Sequence, residues 1–348
     1  KLFVANRSLF FSVILILIGV TLAVIFSSDL RTSAGIWKGW FVDPILFFIV
    51  LISVIKNFEQ VKKVLYSLFL SGTVASIIAL VYLILGKLDP VGRLQAFYTS
   101  PNYLAMYLAP ALIIGLIEVR EILFQTRSLA HRACSLFVLG LAPPTTVGDH
   151  GRSGLRKVFK SISLTSILLI LIILFFAHSY GAWVGIMAAI GFGLFVYLFK
   201  LKRKLAVLFL CLFVLASLFL GYFALNSRAA SLDARLVIWQ KAWEAFKAHP
   251  ILGIGPGTFE GYPQPHNIFL AFLLQTGIIG FIGFIWLLAW FFRAGIKSHE
   301  LRIMNIILMS VMAYILVHGL VDTTYWKNDL SAVFWIIIGL VAVLKKEP

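Results

Sequence analysis

"NIFLAFLLQTGIIGFIGFIWLLAWFF", Asn267 to Phe292, runs for 26 residues without one charged side chain. An α-helix rises 1.5 Å per residue, so about 20 apolar residues cross the roughly 30 Å hydrocarbon core of a bilayer. The stretch therefore reads as a membrane span, and the rest of the chain repeats it. Comparable runs fall at about 8–26, 36–55, 64–86, 101–118, 161–177, 182–199, 205–223, 303–320 and 329–344. The fold class is all-α, a polytopic transmembrane helical bundle of about ten spans, with 11–12 as the alternative count. A membrane β-barrel would instead show short segments of alternating character.

Composition agrees. Of 348 residues, 61% are hydrophobic and 13% charged, whereas a soluble domain is roughly half apolar and about a quarter charged. The net charge of +16 does not point to nucleic acid, because the basic residues sit in short loops between spans. There they act as topology determinants facing anionic lipid. The segments 1–7, 56–63, 118–160, 200–204, 293–302 and 345–348 hold 21 of the 30 Lys and Arg, and the opposite loops hold 9. The richer side is expected to be cytoplasmic, with both termini inside. Cys134 and Cys211 suggest neither a disulfide framework nor a metal motif. The chain starts at Lys1, as if its native start were trimmed, and Leu9–Phe26 shows no small-residue cleavage site.

The whole of 1–348 reads as one transmembrane domain with two unusual loops. Segment 118–160 is basic, and its Pro143-Pro144 and Gly/Ser/Arg stretch mark a cytoplasmic loop. Segment 224–265 is the longest outer loop. Ser231 is placed to cap a helix there, with Asp233 in its first turn. Leu232, Leu236, Trp239, Trp243 and Phe246 form an apolar stripe at helical spacing. His249-Pro250 stops the helix, and Gly253, Gly255 and Gly257 follow. This is an amphipathic helix that lies on the membrane or on the bundle. Arg235 falls beside the apolar stripe, where a guanidinium would face protein or lipid phosphate.

The polar residues of interest collect at the outer ends of the spans: Arg93, Asn102, His178, Arg235, His249, His266 and Asp322. Each has a plain reading as an interface anchor or a cap. His266 also reads as a general base, since an imidazole takes up a proton near neutrality. Arg235 and Arg93 also read as ligands for a diphosphate, whose departure needs positive charge. Asp322 would orient a histidine or an arginine, or cap a span. The glycines of "GIGPG" form no nucleotide-binding fingerprint, having no strand before them, and read as a tight turn. No cluster has metal-ligand spacing, so no metal is expected.

Taken together, "RLVIWQKAWEAFKAHPILGIGPGTF" and "PHNIFLAFLLQTGIIG" resemble the O-antigen ligase and polymerase superfamily of bacterial envelope enzymes. Arg235, Trp239, His249, Pro250, Gly253, Gly255, Gly257, His266, Asn267, Leu270 and Gly277 match its pattern in order. "GRLQAFYTSPNYLAMYL" and "HGLVDTTYW" extend the resemblance from Arg93 to Asp322. It implies a GT-C type enzyme of the bacterial inner membrane that works on the periplasmic face without cofactor or metal. The donor would be an undecaprenyl-diphosphate-linked glycan. The acceptor would be another glycan, a lipid A-core sugar or a protein hydroxyl, and the transfer would invert the sugar carbon. On this resemblance His266 is the base, Arg235, Arg93 and Asn102 bind the lipid diphosphate, and Asn267, His178, Tyr180, His249 and Asp322 support them. One departure stands out: relatives carry arginine where "SYGAW" has Tyr180. A tyrosine donates one hydrogen bond and no charge, and His178 or Arg93 would have to compensate. A non-catalytic member of the superfamily is thus an alternative, as is a transporter of a small anion. A transporter should place charge near the bilayer midplane, where the spans hold almost none apart from Asp43-Pro44.

Overall fold

The computed structural model describes residues 6–116, 149–227, 229–262, 264–297 and 303–345, with the backbone alone at 149–162, 216–232 and 297. Among these are eleven helices and no strand: α1 (Arg7–Ile25), α2 (Leu30–Val54), α3 (Phe58–Ile84), α4 (Pro101–Leu116), α5 (Asp149–Ala177), α6 (Tyr180–Leu201), α7 (Arg203–Ser227), α8 (Ala229–Ala248), α9 (Ile268–Lys297), α10 (Ile303–His318) and α11 (Asn328–Leu344). The chain is an all-α, multi-pass membrane bundle.

The expected ten spans are corrected. Among the described residues five helices are long and apolar enough to cross a membrane: α1, α2, α3, α6 and α9. Helix α4, the Ser163–Ala177 part of α5, α10 and α11 are apolar but shorter. Sixteen residues in α10 reach only about 24 Å. Helix α11 is buried nearly all round, as a helix wrapped by protein should be. An apolar run alone does not separate a lipid-facing span from a buried core helix. The basic segment 118–160 lies outside the described residues as far as 148, and from Asp149 the backbone is already helical.

The chain divides into two compact units, one of residues 1–61 with 180–348 and one of 62–179. In the second, Gly72 of α3 lies against Ala111 of α4 and Ile170 of α5. Tyr107 donates to Ser71 at 3.0 Å across α3 and α4.

In the first unit α1 packs along α9, backbone against backbone where Gly19 meets Gly280. Helix α2 contains a π-turn over Trp37–Val42, ahead of Asp43-Pro44. Pro44 has no N–H, so the carbonyl of Trp40 loses its partner four residues on. The Tyr325 hydroxyl fills that vacancy, donating to Trp40 O at 2.7 Å, and itself accepts from the indole of Trp335 at 3.2 Å. Lys345 Nζ donates to Asn6 Oδ1 at 3.1 Å, so the start of α1 and the end of α11 share one end of this unit.

Helix α9 is broken at Gly277, which has φ 64 and ψ −175. The hydrogen bond that Ile278 N–H would give to Leu274 O is replaced by two bonds to the loop after α8. Ile278 N–H donates to Pro250 O at 3.0 Å, and Leu274 O accepts from Ile254 N–H at 2.9 Å. The loop thus inserts into the break. It is floored by Gly253, Gly255 and Gly257 at φ 72, 89 and 81. Gln275, 1% exposed, locks it: its Oε1 accepts from Gly257 N–H at 3.1 Å and from the Trp326 indole at 2.8 Å, while its Nε2 donates to Gln264 at 2.9 Å.

Helix α8 begins at Ala229, so Ser231 lies inside it and is not its cap. Its protein-facing side also differs from the expected stripe. Ala242, fully buried, packs with Ile238, Ala245 and Phe246 against Phe259, Leu274 and Leu270. Leu236 and Trp243 are about half exposed.

Replacing Gly277 by alanine should destabilise the fold sharply. The backbone conformation is costly for any other residue, by about 1–3 kcal/mol, and the new Cβ would strike the carbonyl of Ile251. Thermal unfolding of the detergent-purified protein reads this as a lowered Tm. An unchanged Tm would mean that α9 does not need its break.

Candidate active site

The break in α9 leaves a short first segment, 268–276, whose N-terminus carries the Pro265-His266-Asn267 turn. Asn267 is the cap. Its Oδ1 accepts from the N–H groups of Phe269 and Leu270, both at 3.0 Å, and its Nδ2 donates to Leu320 O at 3.1 Å. Capping is a full use of that side chain, so it does not fall to His266. The φ of His266 is +48, a left-handed turn that swings its ring away from the helix start.

The ring meets Asp322. His266 Nδ1 and Asp322 Oδ1 are 3.0 Å apart, with the histidine side chain 35% exposed and the carboxylate 4% exposed. Asp322 Oδ1 also accepts from Thr323 N–H at 2.9 Å. Burial works against the charged carboxylate. The hydrogen bond and charge of His266, the nearby His318 and the Thr323 N–H outweigh it, so Asp322 is held below the usual carboxylate value. With Asp322 ionised, Nδ1 must be the donor, which leaves Nε2 as the ring nitrogen able to take a proton.

Two further groups stand close. Arg235, half-buried on the inner side of α8, donates from Nε to Val321 O at 3.0 Å, one residue before Asp322. His318, 1% exposed, lies one helical turn before Asp322, whose N–H donates to the His318 carbonyl at 3.1 Å. Its Nδ1 is 2.8 Å from the Tyr314 hydroxyl. Gly181 and Gly185 of α6 let these rings approach: a Cβ on Gly181 would lie 2.7 Å from the imidazole of His318, and one on Gly185 2.8 Å from the ring of Tyr314. His318 and Tyr314 were not among the sequence candidates. Their signal was spacing, since Tyr314, His318 and Asp322 recur every fourth residue and so share one face of a helical turn.

The other candidates divide between the units. Tyr180 opens α6 next to Gly181, with its side chain 55% exposed. His249 follows α8 and lines a separate polar cavity. Arg93, Asn102 and His178 belong to the second unit. There Arg93 donates from Nη2 to Asn102 Oδ1 at 2.8 Å and, from Nε and Nη2, to Ala177 O at 3.2 Å each. Arg93 therefore closes the C-terminus of α5, a structural use of a cation at the negative end of a helix. His178 comes next, at φ +47 with its ring against Phe175.

A broken, capped membrane helix, an Asp-oriented histidine at its start and an arginine beside the pair define a membrane protein with a polar site at one end of a helical bundle. Residues 165–285 match the family model described as O-Antigen ligase. The matched span holds Arg235, His249 and His266, while Asp322 and Arg93 lie outside it. The chain is also 22% identical, over 360 residues, to an uncharacterized protein of Haemophilus influenzae, covering 86% of this chain and 84% of that one.

The depressed Asp322 value has a signed consequence. A carboxylate held below its unfolded value adds stability above the ordinary carboxylate range, and that stability is lost as pH falls through the folded value. Wild-type Tm, followed from about pH 7 down to about pH 3, should therefore drop at the acid end. Asp322→Asn should lower Tm at neutral pH by the equivalent of about 1–3 kcal/mol and flatten the acid drop. An unaltered acid limb in the variant would sink this account of Asp322.

Proposed function

We propose that the chain is a membrane glycosyltransferase that moves a glycan from an undecaprenyl-diphosphate carrier to an acceptor hydroxyl at the periplasmic face of the bacterial inner membrane, with both termini cytoplasmic. The His266–Asp322 pair carries this reading. Asp322 accepts a hydrogen bond from Nδ1–H, which fixes the tautomer. Nε2 then takes the acceptor O–H proton as the oxygen attacks the anomeric carbon, and the bond from that carbon to the diphosphate oxygen breaks. The imidazolium that forms is stabilised by the buried carboxylate. The leaving diphosphate meets the guanidinium of Arg235, which offers fixed positive charge where negative charge develops. Attack from the face opposite the leaving group inverts the sugar carbon.

An apolar groove of about 360 Å³ supports the lipid part of the donor. Trp239, Trp243, Phe269, Leu270, Leu273 and Phe281 line it, and Asn267, the neighbour of His266, stands at its side. An isoprenoid chain in this groove would present its diphosphate toward Arg235. The family match supports a lipid-linked glycan as the substrate class.

Transfer of glycan from undecaprenyl-diphosphate glycan, measured in detergent, tests the reading. His266→Ala should abolish transfer. Asp322→Asn should lower kcat by about 10²–10⁴, the general-base contribution it positions. Arg235→Ala should depress kcat/KM with the protein still folded. Full transfer by correctly folded His266→Ala would remove His266 as the base, and anion flux through wild type in vesicles, without transfer, would favour the transporter alternative.

A further inference from the structure

The site at His266 does not use the other polar feature of the first unit. Where the α1–α2 turn, the end of α8 and the glycine loop meet, they enclose a cavity of about 570 Å³, within the range of about 300–1,000 Å³ of small-molecule sites. Its chemistry is mixed. Glu244 and Glu260 supply carboxylates, Lys241 an ammonium and His249 an imidazole, with Ser28 at the rim and Phe26 as an exposed apolar wall.

We propose that this cavity is a glycan subsite that holds uncharged, hydroxyl-rich sugar residues one or more units away from the bond being made. The assignment of a role to that glycan rests on the glycosyltransferase reading above. Carboxylate oxygens accept from adjacent sugar hydroxyls, and charge-assisted bonds of this kind are the stronger ones. Sugar C–H faces need apolar surface beside them, which the exposed ring of Phe26 provides. Lys241 is held over the ring of Tyr262 at 5.2 Å. Among the described residues no ion pair joins it to Glu244 or Glu260. Glu244 Oε1 already accepts from Gln240 Nε2 at 3.2 Å, and a carboxylate with about four lone-pair sites still keeps acceptor capacity beyond that bond.

The charge balance selects the ligand class. Two carboxylates against one ammonium disfavour a phosphate or an acidic sugar. Among the described residues no three His, Cys, Asp or Glu side chains group as metal ligands, so these carboxylates do not form a cation cage. The floor is preorganised. Thr258 Oγ1 donates to the carbonyl of Ile254, at 2.7 Å, with Gly255 O at 2.9 Å, and the loop is pinned into the α9 break. A rigid floor lowers the ordering cost of binding.

Binding of defined oligosaccharides to the full chain in detergent, followed by saturation-transfer NMR, needs no catalysis. The probes are maltotriose and chitotriose, with trigalacturonate as the acidic control. Wild type should bind at least one neutral probe, and trigalacturonate at least tenfold more weakly. Glu244→Gln with Glu260→Gln should weaken the neutral probe at least tenfold, and His266→Ala should bind it as wild type does. No neutral binding by wild type, or equal binding by the double variant, overturns the subsite. The two readings fail separately: lost neutral binding with transfer intact removes the subsite alone, while transfer by His266→Ala with binding intact removes only the proposed base.

Discussion

The first unit is organised around an exchange of hydrogen bonds at Gly277. A membrane helix has no water to satisfy a broken ladder, and each orphaned group in hydrocarbon costs several kcal/mol. Helix α9 breaks nonetheless, because the loop at 250–254 supplies the missing acceptor to Ile278 and the missing donor to Leu274. Gly253 and Gly277 permit this since both sit at positive φ with backbone in close contact. Gln275, a polar residue inside the apolar stretch, holds the inserted loop and Trp326 at once.

The break has a chemical consequence. It gives α9 a short first segment whose start lies at one end of the bundle, and Asn267 caps it. His266 is thereby released from capping and meets Asp322, which arrives from the end of α10. The glycine stripe of α6 then admits His318 and Tyr314 behind the pair. One backbone device thus sets the position of the base, of its orienting carboxylate and of the polar cavity under the loop.

Much of this was legible in the residues. The all-α membrane class followed from uncharged runs such as 267–292, and the turn at "GIGPG" from its glycines. His266, Asp322 and Arg235 stood out as polar groups at span ends. Other features were not legible. Which side of α8 faces protein was not legible, because apolar periodicity does not distinguish lipid from protein as the partner. Ten apolar runs were read as ten spans, although α10 and α11 are short and protein-wrapped. Arg93 and Asn102 were expected to bind a lipid diphosphate; the structure pairs them with each other, and the Ala177 carbonyl that Arg93 closes is 84 residues away and left no trace in local sequence.

The sequence by itself determined the solvent, the helical class and the supply of chemistry, because hydropathy, glycine and proline act locally through burial and backbone sterics. Only the tertiary structure decided which polar groups meet. The 3.0 Å contact between His266 and Asp322 spans 56 residues of chain, and Arg235 reaches Val321 across 86. Such contacts depend on how helices pack and where a loop inserts, and the deciding force there is the need to satisfy every backbone donor and acceptor at a broken helix.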